Sequence, residues 1–476
     1  MTRPTVPPPN PVPGDTVMPD PTNRRQISRR DVLKAAGLTA VVVGLAPSLK
    51  GATLLGPAAV QGAGPPPNLK LVGTDGWISL PQTPPIGAFH PDNLAPPGKS
   101  TYIFGFRNVT GLTDTLAFGQ KNHAQHSAPL FWAKEGQEFR VQLTNVGLAQ
   151  RPDLFDAHTL HWHGFKNVIA FFDGEPTGSV AVPAGQSFTY VYMSHDPGTY
   201  MYHCHVEDVE HVQMGMTGLV FVRPKQDADA GARNLGLLRP APNNVPFKGF
   251  AYNDGNGSTG FDREFAMFLS EVWAEAHWAD AHIQLPEWSD YRADFSLLNG
   301  RVYPDTLLPH SPVDAIPATP PPYIPVTRDG SGDLVVPTTR PDLQHQPMSS
   351  LITCNGGERV LLRFANLGFK EAAMTLTGIK LRVVGRDATF MRGRDGTDAS
   401  YSSNTLSFGA GESFDAIFQA PPHSGGSGPD KYVLFNRTYT RSDNLSGGGG
   451  QRTEVHVYPT GTVPAQKYPN DLGGQS

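Results

Sequence analysis

Three short motifs occur twice in this chain of 476 residues, in the same order in each half. Each motif is typical of a β-strand, because its β-branched and aromatic residues lie between turn residues. The paired motifs are EGQEFRVQLTN (135–145) with GGERVLLRFAN (356–366), PAGQSFTYVY (183–192) with GAGESFDAIF (409–418), and TYMYHC (199–204) with KYVLFN (431–436). The repeat predicts a β domain that is present twice, at residues 66–224 and 262–460.

Composition agrees with an all-β fold and excludes one class of partner. The chain has 51 glycines and 46 prolines, which is too many turn-forming residues for a helical bundle and suits a loop-rich β protein. Its formal charge of −5 shows no basic excess, so we predict that it binds no nucleic acid.

The first 50 residues are typical of an export signal. Arg29 and Arg30 precede the apolar run AAGLTAVVVGLAPSL, which is too short to span a membrane and resembles the core of a signal peptide. The arginine pair predicts a twin-arginine signal region at residues 1–50. The mature protein is therefore expected to be periplasmic, at the cell surface or secreted, without a membrane span.

The two copies differ in the residues that can bind a metal. The segment HTLHWHG in the first copy aligns with AAMTLTG in the second, so that three histidines are replaced by alanine and threonines. These replaced residues are His158, His161 and His163, opposite Ala372, Thr375 and Thr377. Likewise His203, Cys204 and His205 align with Phe435, Asn436 and Arg437. The second copy is therefore predicted to be structural.

Strand geometry separates the first copy's ligands into two groups. Residues two apart on a strand share a face, and the residue between them points the other way. The segment HCH is thus expected to direct His203 and His205 to one side and Cys204 to the other. The segment HWH similarly directs His161 and His163 to one side, so that four imidazoles are expected on a common face.

Cys204 needs partners of its own on the opposite face. His158 and His211 can each supply an imidazole, and Met216 can supply a long axial thioether. Two histidines, one thiolate and a weak axial methionine make the blue-copper arrangement, whereas zinc usually takes Cys/His sets with CxxC-like spacing. Met214 is the alternative axial residue, but Met216 directly precedes the next strand and is preferred.

Four segments carry a resemblance to a known family. HTLHWHG, FFDGEP, PAGQSFTYVY and GTYMYHCH with its following His and Met resemble the copper-binding domains of multicopper oxidases, a cupredoxin family. The resemblance covers most of residues 130–222, and residues 263–460 are similar to a copper-free domain of the same family. It implies an all-β chain of two cupredoxin-like Greek-key β-sandwich domains, of which only the first binds type 1 copper.

The resemblance also implies roles for particular residues. The implied type 1 copper ligands are His158, Cys204, His211 and Met216. The implied type 2 ligand is His161, and the implied type 3 ligands are His163, His203 and His205. Asp173 in FFDGEP matches the family's acid near the type 2 centre, which implies proton delivery in catalysis. A purely structural role for this Asp in a turn before Gly174 is an equal alternative.

The implied function is that of an exported, laccase-like multicopper oxidase. A small reducing substrate would give single electrons to the type 1 copper, and dioxygen would be reduced to water. A complete cluster in this family takes eight histidines from two domains, whereas this chain's first domain offers four and its second none at matching positions. Either two first domains share a cluster in a homo-oligomer, or the chain is a type 1 electron-transfer protein or a copper nitrite reductase-like enzyme. A copper-storage or structural protein without turnover is a further class.

The remaining cysteine and histidines are given ordinary roles. Cys354 has no histidine neighbours and is predicted to be a buried thiol without function. His123 and His126 are expected in a solvated loop, and His345 in another loop. His277 and its neighbour five residues later are spaced unsuitably for sharing a ligand.

Overall fold

The computed structural model describes residues 65–80, 101–165, 169–228, 247–311, 323–336, 339–444 and 448–472. The predicted twin-arginine region at residues 1–50 lies outside these residues. None of the helices in the described part of the chain is both long and apolar enough to cross a membrane.

The first half of the chain folds into two four-stranded sheets. Its strands are β1 (Leu69–Ile78), β2 (Thr101–Asn108), β3 (Phe131–Lys134), β4 (Glu138–Asn145), β5 (His161–His163), β6 (Ser187–Met193), β7 (Gly198–His203) and β8 (Thr217–Arg223). One sheet has the order β2-β1-β4-β6, and the other has the order β3-β8-β7-β5. Two short helices accompany them, α1 (Asp114–Phe118) and α2 (Asp208–Met214). Residues 198–216 therefore form strand β7 of the second sheet and then helix α2, after which the chain re-enters the same sheet as β8.

The second half begins after a small hairpin formed by β9 (Gly249–Phe250) and β10 (Gly260–Phe261). Its strands are β11 (Arg263–Val272), β12 (Phe295–Leu298), β13 (Thr327–Arg328), β14 (Leu334–Val335), β15 (Ile352–Asn355), β16 (Arg359–Asn366), β17 (Ala372–Leu376), β18 (Leu381–Arg386), β19 (Thr389–Phe390), β20 (Tyr401–Ser403), β21 (Thr405–Phe408), β22 (Ser413–Gln419), β23 (Asp430–Asn436) and β24 (Arg452–Tyr458). Helix α3 (Ala274–Ala281) follows β11. The larger sheets have the orders β12-β11-β16-β22-β18-β19, with β20 also paired to β18, and β15-β24-β23-β17-β21.

The two halves repeat one pattern of strand pairing. In the first half β1 is parallel to β4, which is antiparallel to β6, and in the second half β11, β16 and β22 pair in the same way. The strands β3, β8, β7 and β5 likewise correspond to β15, β24, β23 and β17. Even the register agrees, because His161 pairs with His203 where Thr375 pairs with Phe435. The predicted all-β, cupredoxin-like sandwich fold is confirmed.

An aromatic core fixes the strand that carries HWH. Trp162, which is 1% exposed, points into the first sandwich between the two histidines of β5. Its ring stacks on Tyr192 with centroids 4.1 Å apart and also contacts Phe131 and Phe165. The Tyr192 hydroxyl donates to the backbone carbonyl of Leu160, directly before the strand. Packing of Trp162 inward therefore turns both histidines of β5 outward.

The two halves share a buried interface. Apolar residues of β7 and β8 pack against residues of β11 and β16, and the cluster includes Met201, Leu219, Phe221, Ala266, Phe268 and Ala365. Among these apolar residues lies the buried guanidinium of Arg363, which pairs with Glu264 at 3.1 Å and with Asp415 at 3.2 Å. Arg363 also donates to the hydroxyl of Thr199 on β7. Strand β7, which leads to Cys204, is thus anchored by contacts with the second half.

Candidate metal centre

Strand β7 ends at His203, so Cys204 and His205 lie just beyond it. The expected extended strand through all three residues is therefore one or two residues too long. The expected division of side chains nevertheless occurs: the rings of His203 and His205 lie together, with centroids 5.4 Å apart, while the thiol of Cys204 lies beside His211. The chain keeps the alternation of a strand for two residues after its ladder of hydrogen bonds has ended.

A buried thiol lies between two imidazoles. The Sγ atom of Cys204 is 3.2 Å from Nδ1 of His211. One potential ligand atom from each of His158, Cys204 and His211 lies within 4.8 Å of the others, and all three residues are buried. Neither ring nitrogen of His158 has a hydrogen-bond partner in the described part of the chain. Since buried polar atoms are rarely left without partners, this arrangement is suited to a bound metal.

Met216 borders the same group. It is fully buried, its amide donates to the carbonyl of His211 at 2.8 Å, and its carbonyl accepts from the amide of Cys204 at 3.1 Å. A Cβ atom placed on Gly73 would lie 2.8 Å from Cδ2 of His158 and 3.4 Å from Cε of Met216. The imidazole and the thioether therefore both lie against Gly73 of β1, close to the space beside the thiol.

The charges of the thiol and the imidazole support each other. Burial opposes ionisation of Cys204, but the neighbouring imidazoles of His211 and His158 outweigh it and hold the pKa of the thiol well below its ordinary value. Burial likewise opposes protonation of His211, yet Cys204 and Asp156 raise its pKa to about 10. A thiolate is the form of cysteine that binds metals, so the surroundings of Cys204 favour its ligand form.

Asp156 is a contact that the sequence did not reveal. Its Oδ2 atom lies 3.6 Å from Nε2 of His211, on the side of the ring away from Cys204. The facing imidazole of His211 lowers the pKa of the Asp156 carboxyl. Partners of this kind orient a ligating imidazole from outside the first coordination sphere. An aspartate two residues before His158 has no sequence signature, so only the fold could identify it.

Four imidazoles converge on the other side of Cys204. The ring centroid of His161 lies 5.2 Å from that of His203 and 5.0 Å from that of His205, and His163 lies 5.8 Å from His203. One nitrogen from each of His161, His163 and His203 lies within 4.8 Å of the others. The expectation that HWH and HCH present four imidazoles together agrees with this geometry.

Hydrogen bonds orient two of these rings. Nδ1–H of His161 donates to the carbonyl of Asp173 at 2.8 Å, and Nδ1–H of His203 donates to the carbonyl of Cys204 at 2.8 Å. Both bonds leave Nε2 as the unprotonated nitrogen that can bind a metal. Burial lowers the pKa of His203 to about 3 and also lowers the pKa of His161 and His163. The rings are therefore neutral near pH 7, as metal binding requires.

Asp173 lies at the edge of this cluster. Its carbonyl holds His161, and its carboxylate Oδ2 lies 3.6 Å from the same ring nitrogen. The following Gly174 has φ +81°, and a Cβ atom there would lie 2.4 Å from the carbonyl oxygen of Leu160. Asp173 and Gly174 thus form a tight turn that also places a carboxylate beside His161.

The second half contacts the cluster without offering comparable ligands. A Cβ atom placed on Gly411 would lie 3.2 Å from Nε2 of His163, so the turn after β21 abuts this ring. In the part of the chain that the structure describes, the three groups of clustered His, Cys, Asp and Glu side chains all belong to the first half.

One histidine was interpreted wrongly from sequence. His126 is fully buried and its Nε2 lies 3.1 Å from the hydroxyl of Ser270, although a solvated loop was expected. His345 lies in a turn, as expected, but it is buried, with Nδ1 2.8 Å from the carbonyl of Trp77. Both residues lie where the two halves meet, and local sequence carries no signal for such burial. Cys354 is a buried free thiol, as expected.

The donor sets fit copper. Thiolate and imidazole together with a thioether are soft ligands that favour copper over the hard, oxygen-binding cations. Neither ring nitrogen of His158 meets the geometry of a hydrogen bond in the described residues, so His158 contributes a donor that a bound ion would satisfy. In the separate four-imidazole group, the lowered pKa values of His161, His163 and His203 keep these three rings neutral, and neutral imidazoles suit copper as well.

Comparisons with known proteins support this interpretation. The family model for multicopper oxidase matches residues 122–227. The chain is 34% identical over 101 residues to Laccase 1 of Metarhizium acridum (strain CQMa 102), a match that covers 21% of this chain and 15% of that laccase. The chain thus matches only a small part of the length of this curated relative.

Two solved structures resemble the chain over most of its length. The blue copper oxidase from Nitrosomonas europaea has 20% sequence identity and a TM-score of 0.51, with 82% of this chain and 85% of that chain covered. The multicopper oxidase mgLAC also has 20% identity and a TM-score of 0.51, with coverage of 84% and 87%. At this identity the likeness establishes a shared fold.

Proposed function

Because residues 122–227 match the family model for multicopper oxidase, we propose that this chain is a copper-dependent oxidoreductase. It would couple one-electron oxidation of a small reducing substrate to the reduction of dioxygen to water. The observation that carries the proposal is the placement of Cys204, whose thiol lies beside His211 while its neighbours His203 and His205 belong to the four-imidazole group.

Each group of residues is proposed to hold a different kind of copper. The type 1 copper ligands proposed are His158, Cys204, His211 and Met216. The proposed ligands of type 2 and type 3 copper are His161, His163, His203 and His205. Bound copper would supply the one-electron transfers and the reduction of dioxygen. Asp156 would orient His211 from the outside, because its carboxylate faces the imidazole nitrogen opposite Cys204.

The backbone joins the two groups directly. His203, Cys204 and His205 are consecutive, and the hydrogen bond from Nδ1–H of His203 ends on the carbonyl of Cys204 itself. A short covalent path and a hydrogen bond therefore connect the thiol with the imidazole cluster. Both ends of this path are shielded from bulk solvent, since Cys204 is fully buried and His203 nearly so.

Asp173 is proposed to deliver protons at the cluster. Its carboxylate is partly exposed, with 32% of the side chain open to solvent, and lies 3.6 Å from Nδ1 of His161. A carboxyl group that touches both water and a ligand imidazole can relay protons inward.

We further propose the organisation of the whole protein. Residues 66–224 would be the copper-binding domain and residues 262–460 a copper-free domain. The four imidazoles of one chain are half of a full cluster, so a second copy would supply the remainder in a homo-oligomer. Residues 1–50 would direct export of the folded protein by the twin-arginine route.

The proposal is tested by paired substitutions. His161→Ala is expected to abolish oxygen uptake while keeping the intense thiolate-to-copper absorption at ~600 nm. His158→Ala is expected to remove the absorption itself. Thr375→Ala provides the matched control, because Thr375 occupies in β17 the register position of His161 in β5. An oxidised, copper-supplied wild-type protein that stays colourless would refute the proposal.

One observation favours a second candidate, a type 1 electron-transfer protein. The second half has alanine, threonine, phenylalanine and arginine at the positions that match the first half's histidines, so it adds no matching imidazole to the four-imidazole group of the first half. Copper per chain measured together with native mass separates the two functions. An oxidase with a shared cluster is expected to hold more than one copper per chain and only as an oligomer. One copper per chain with no oxygen uptake would favour the carrier.

A further inference from the structure

The segment that carries His211 and Met216 is too short to keep a fixed conformation without tertiary contacts. Helix α2 has seven residues, its first turn follows Glu207 at φ +44°, and no side chain caps its N-terminus. Isolated helices of this length are unstable in water, so packing must fix them. The packing partners of α2 therefore decide where His211 and Met216 lie.

Part of that packing comes from the second half. Gln213 of α2 is 3% exposed, and its Nε2 amide donates to the backbone carbonyl of Glu271 on β11 at 3.4 Å. The same amide nitrogen lies 3.5 Å from Nε2 of His277 on α3. Nδ1–H of His277 donates to the carbonyl of Tyr102 at 2.6 Å, which leaves Nε2 as an acceptor facing Gln213.

A second contact fixes the residue between α2 and Met216. Gly215 has φ +122°, and a Cβ atom there would lie 2.7 Å from Nδ1 of His126. Nδ1 of the His126 ring thus lies close to the backbone at the end of α2. Its other nitrogen is 3.1 Å from the hydroxyl of Ser270 on β11. The second half therefore contributes a contact that places this ring against Gly215.

A buried ion pair ties α3 to the loop before the ligands. Nη1 of Arg151 donates to the carboxylate of Asp280 at 2.5 Å and to its carbonyl at 2.8 Å. The side chains of Arg151 and Asp280 are 4% and 2% exposed. This loop continues to Asp156, whose carboxylate faces His211. The two approaches to His211, through α2 and through the Arg151 loop, are thus both anchored on the second half.

We propose that the ligand-free half of the chain serves as a clamp that holds the copper-binding loop in place before metal arrives. The clamp consists of strand β11 and helix α3. Gln213, His277 and His126 are positioning residues that act through α2 and Gly215. The clamp keeps His211 and Met216 facing Cys204 in the metal-free protein. The identity of the metal in this proposal rests on the proposed function. The contacts of the clamp do not, because they are formed between residues of the protein.

The first test uses the metal-free full-length protein. Hydrogen–deuterium exchange of the amides at 208–216 is expected to be at least tenfold faster in His277→Phe and in Gln213→Leu than in the wild type. His277→Gln, which restores a donor and an acceptor, is expected to recover most of the protection. Glu275→Gln on the same helix is the control, because Glu275 is exposed and its ion pair is with the exposed Arg292. Unchanged exchange at 208–216 in both disruptive variants would overturn the clamp.

The second test uses copper-loaded protein. His277→Phe and Gln213→Leu are expected to shift the energy and intensity of the thiolate-to-copper band and to broaden the copper EPR signal, while Glu275→Gln leaves both unaltered. Identical spectra in all four proteins would overturn the proposed effect on the site. If the wild type itself shows no such band, the proposed copper function fails, yet the exchange measurement still decides the clamp.

Discussion

At the scale of single residues, the arrangement depends on one thiol with different neighbours on its two sides. Cys204 faces His211, whereas His203 and His205 before and after it join the four-imidazole group. Cys354 is also a buried thiol, but burial, together with the negative charge of Glu358, raises its pKa to about 12. Burial thus favours the neutral thiol at both cysteines, and the neighbouring imidazoles reverse this effect at Cys204.

The opposite pKa shifts of Cys204 and His211 predict how the stability of the metal-free protein varies with pH. The thiol of Cys204 has a lowered pKa, so its contribution is present above the unfolded value of about 8.5 and is lost as pH falls. His211 has a pKa raised to about 10, so its contribution is present below about 6.5 and is lost as pH rises through 10. Between about 6.5 and 8.5 the folded and unfolded pair bind equal numbers of protons, and the contribution is constant.

The measurement is the free energy of unfolding of metal-free wild type minus that of metal-free Cys204→Ser, across pH. The difference is expected to be largest between pH 6.5 and 8.5 and to fall on either side by at most about 1.4 kcal/mol per pH unit. Cys354→Ser is the control, and its difference should be flat below pH 8. A flat difference for Cys204→Ser from pH 5.5 to 10 would contradict a thiolate–imidazolium pair.

At the scale of elements, strand β1 forms the wall behind the candidate type 1 site. Gly73 on this strand lies against the ring of His158 and the end of Met216. A glycine there leaves room for both side chains beside the thiol. Strand β5 acts differently, because its buried Trp162 forces His161 and His163 to the opposite side. Strand β1 thus leaves space for the side chains of the candidate site, whereas strand β5 orients its two histidines by burying the tryptophan between them.

Gly73→Ala is predicted to disturb the thiol site selectively. The added methyl would approach Cδ2 of His158 to 2.8 Å, so the imidazole must move away by several tenths of an ångström. The expected result is a weaker or shifted band at ~600 nm in the copper-loaded protein. Gly330→Ala is the control, since a Cβ there has no neighbour within 4 Å. Identical spectra for the two variants would show that His158 has no such constraint.

At the scale of the whole molecule, the clustered His, Cys, Asp and Glu side chains of the described residues all lie in the first half, and the second half packs against it. The second half repeats the strand pairing of the first half, and in the described residues it has no cluster of metal-binding side chains. Its buried Arg363 pairs with Glu264 and Asp415 and reaches Thr199 on the strand that leads to Cys204. The two halves are therefore expected to unfold as a single cooperative unit.

Arg363→Leu is predicted to destabilise both halves together. Removing Arg363 takes away the buried cation that pairs with Asp415 and leaves Glu264 paired with Arg223, and breaking a buried ion pair costs about 3–5 kcal/mol of unfolding free energy. Arg292→Leu removes an exposed pair with Glu275 and is expected to cost about 1 kcal/mol or less. Urea unfolding followed by fluorescence and by circular dichroism measures both. Two separate transitions in the wild type would contradict a cooperative unit.

Much of the candidate site could be predicted from sequence because its ligands are local. HWH and HCH each occupy three consecutive residues, and strand alternation alone separates Cys204 from its flanking imidazoles. The repeat also identified which positions in the second half lack ligands. The predictions were weaker where partners come from distant segments, as with Asp156, His126 and Gln213. Burial of His126 depends on Ser270, which lies 144 residues away in the chain.

The sequence by itself determined the β architecture, the duplication and the nature of the donor atoms. These follow from residue type and short-range spacing, since a strand's alternation is a local property of the backbone. Only the tertiary structure decided that the second half packs on helix α2, that Gly73 leaves space beside His158, and that Asp156 faces His211. Such contacts join residues far apart in the chain, and their existence depends on how two sandwiches pack together.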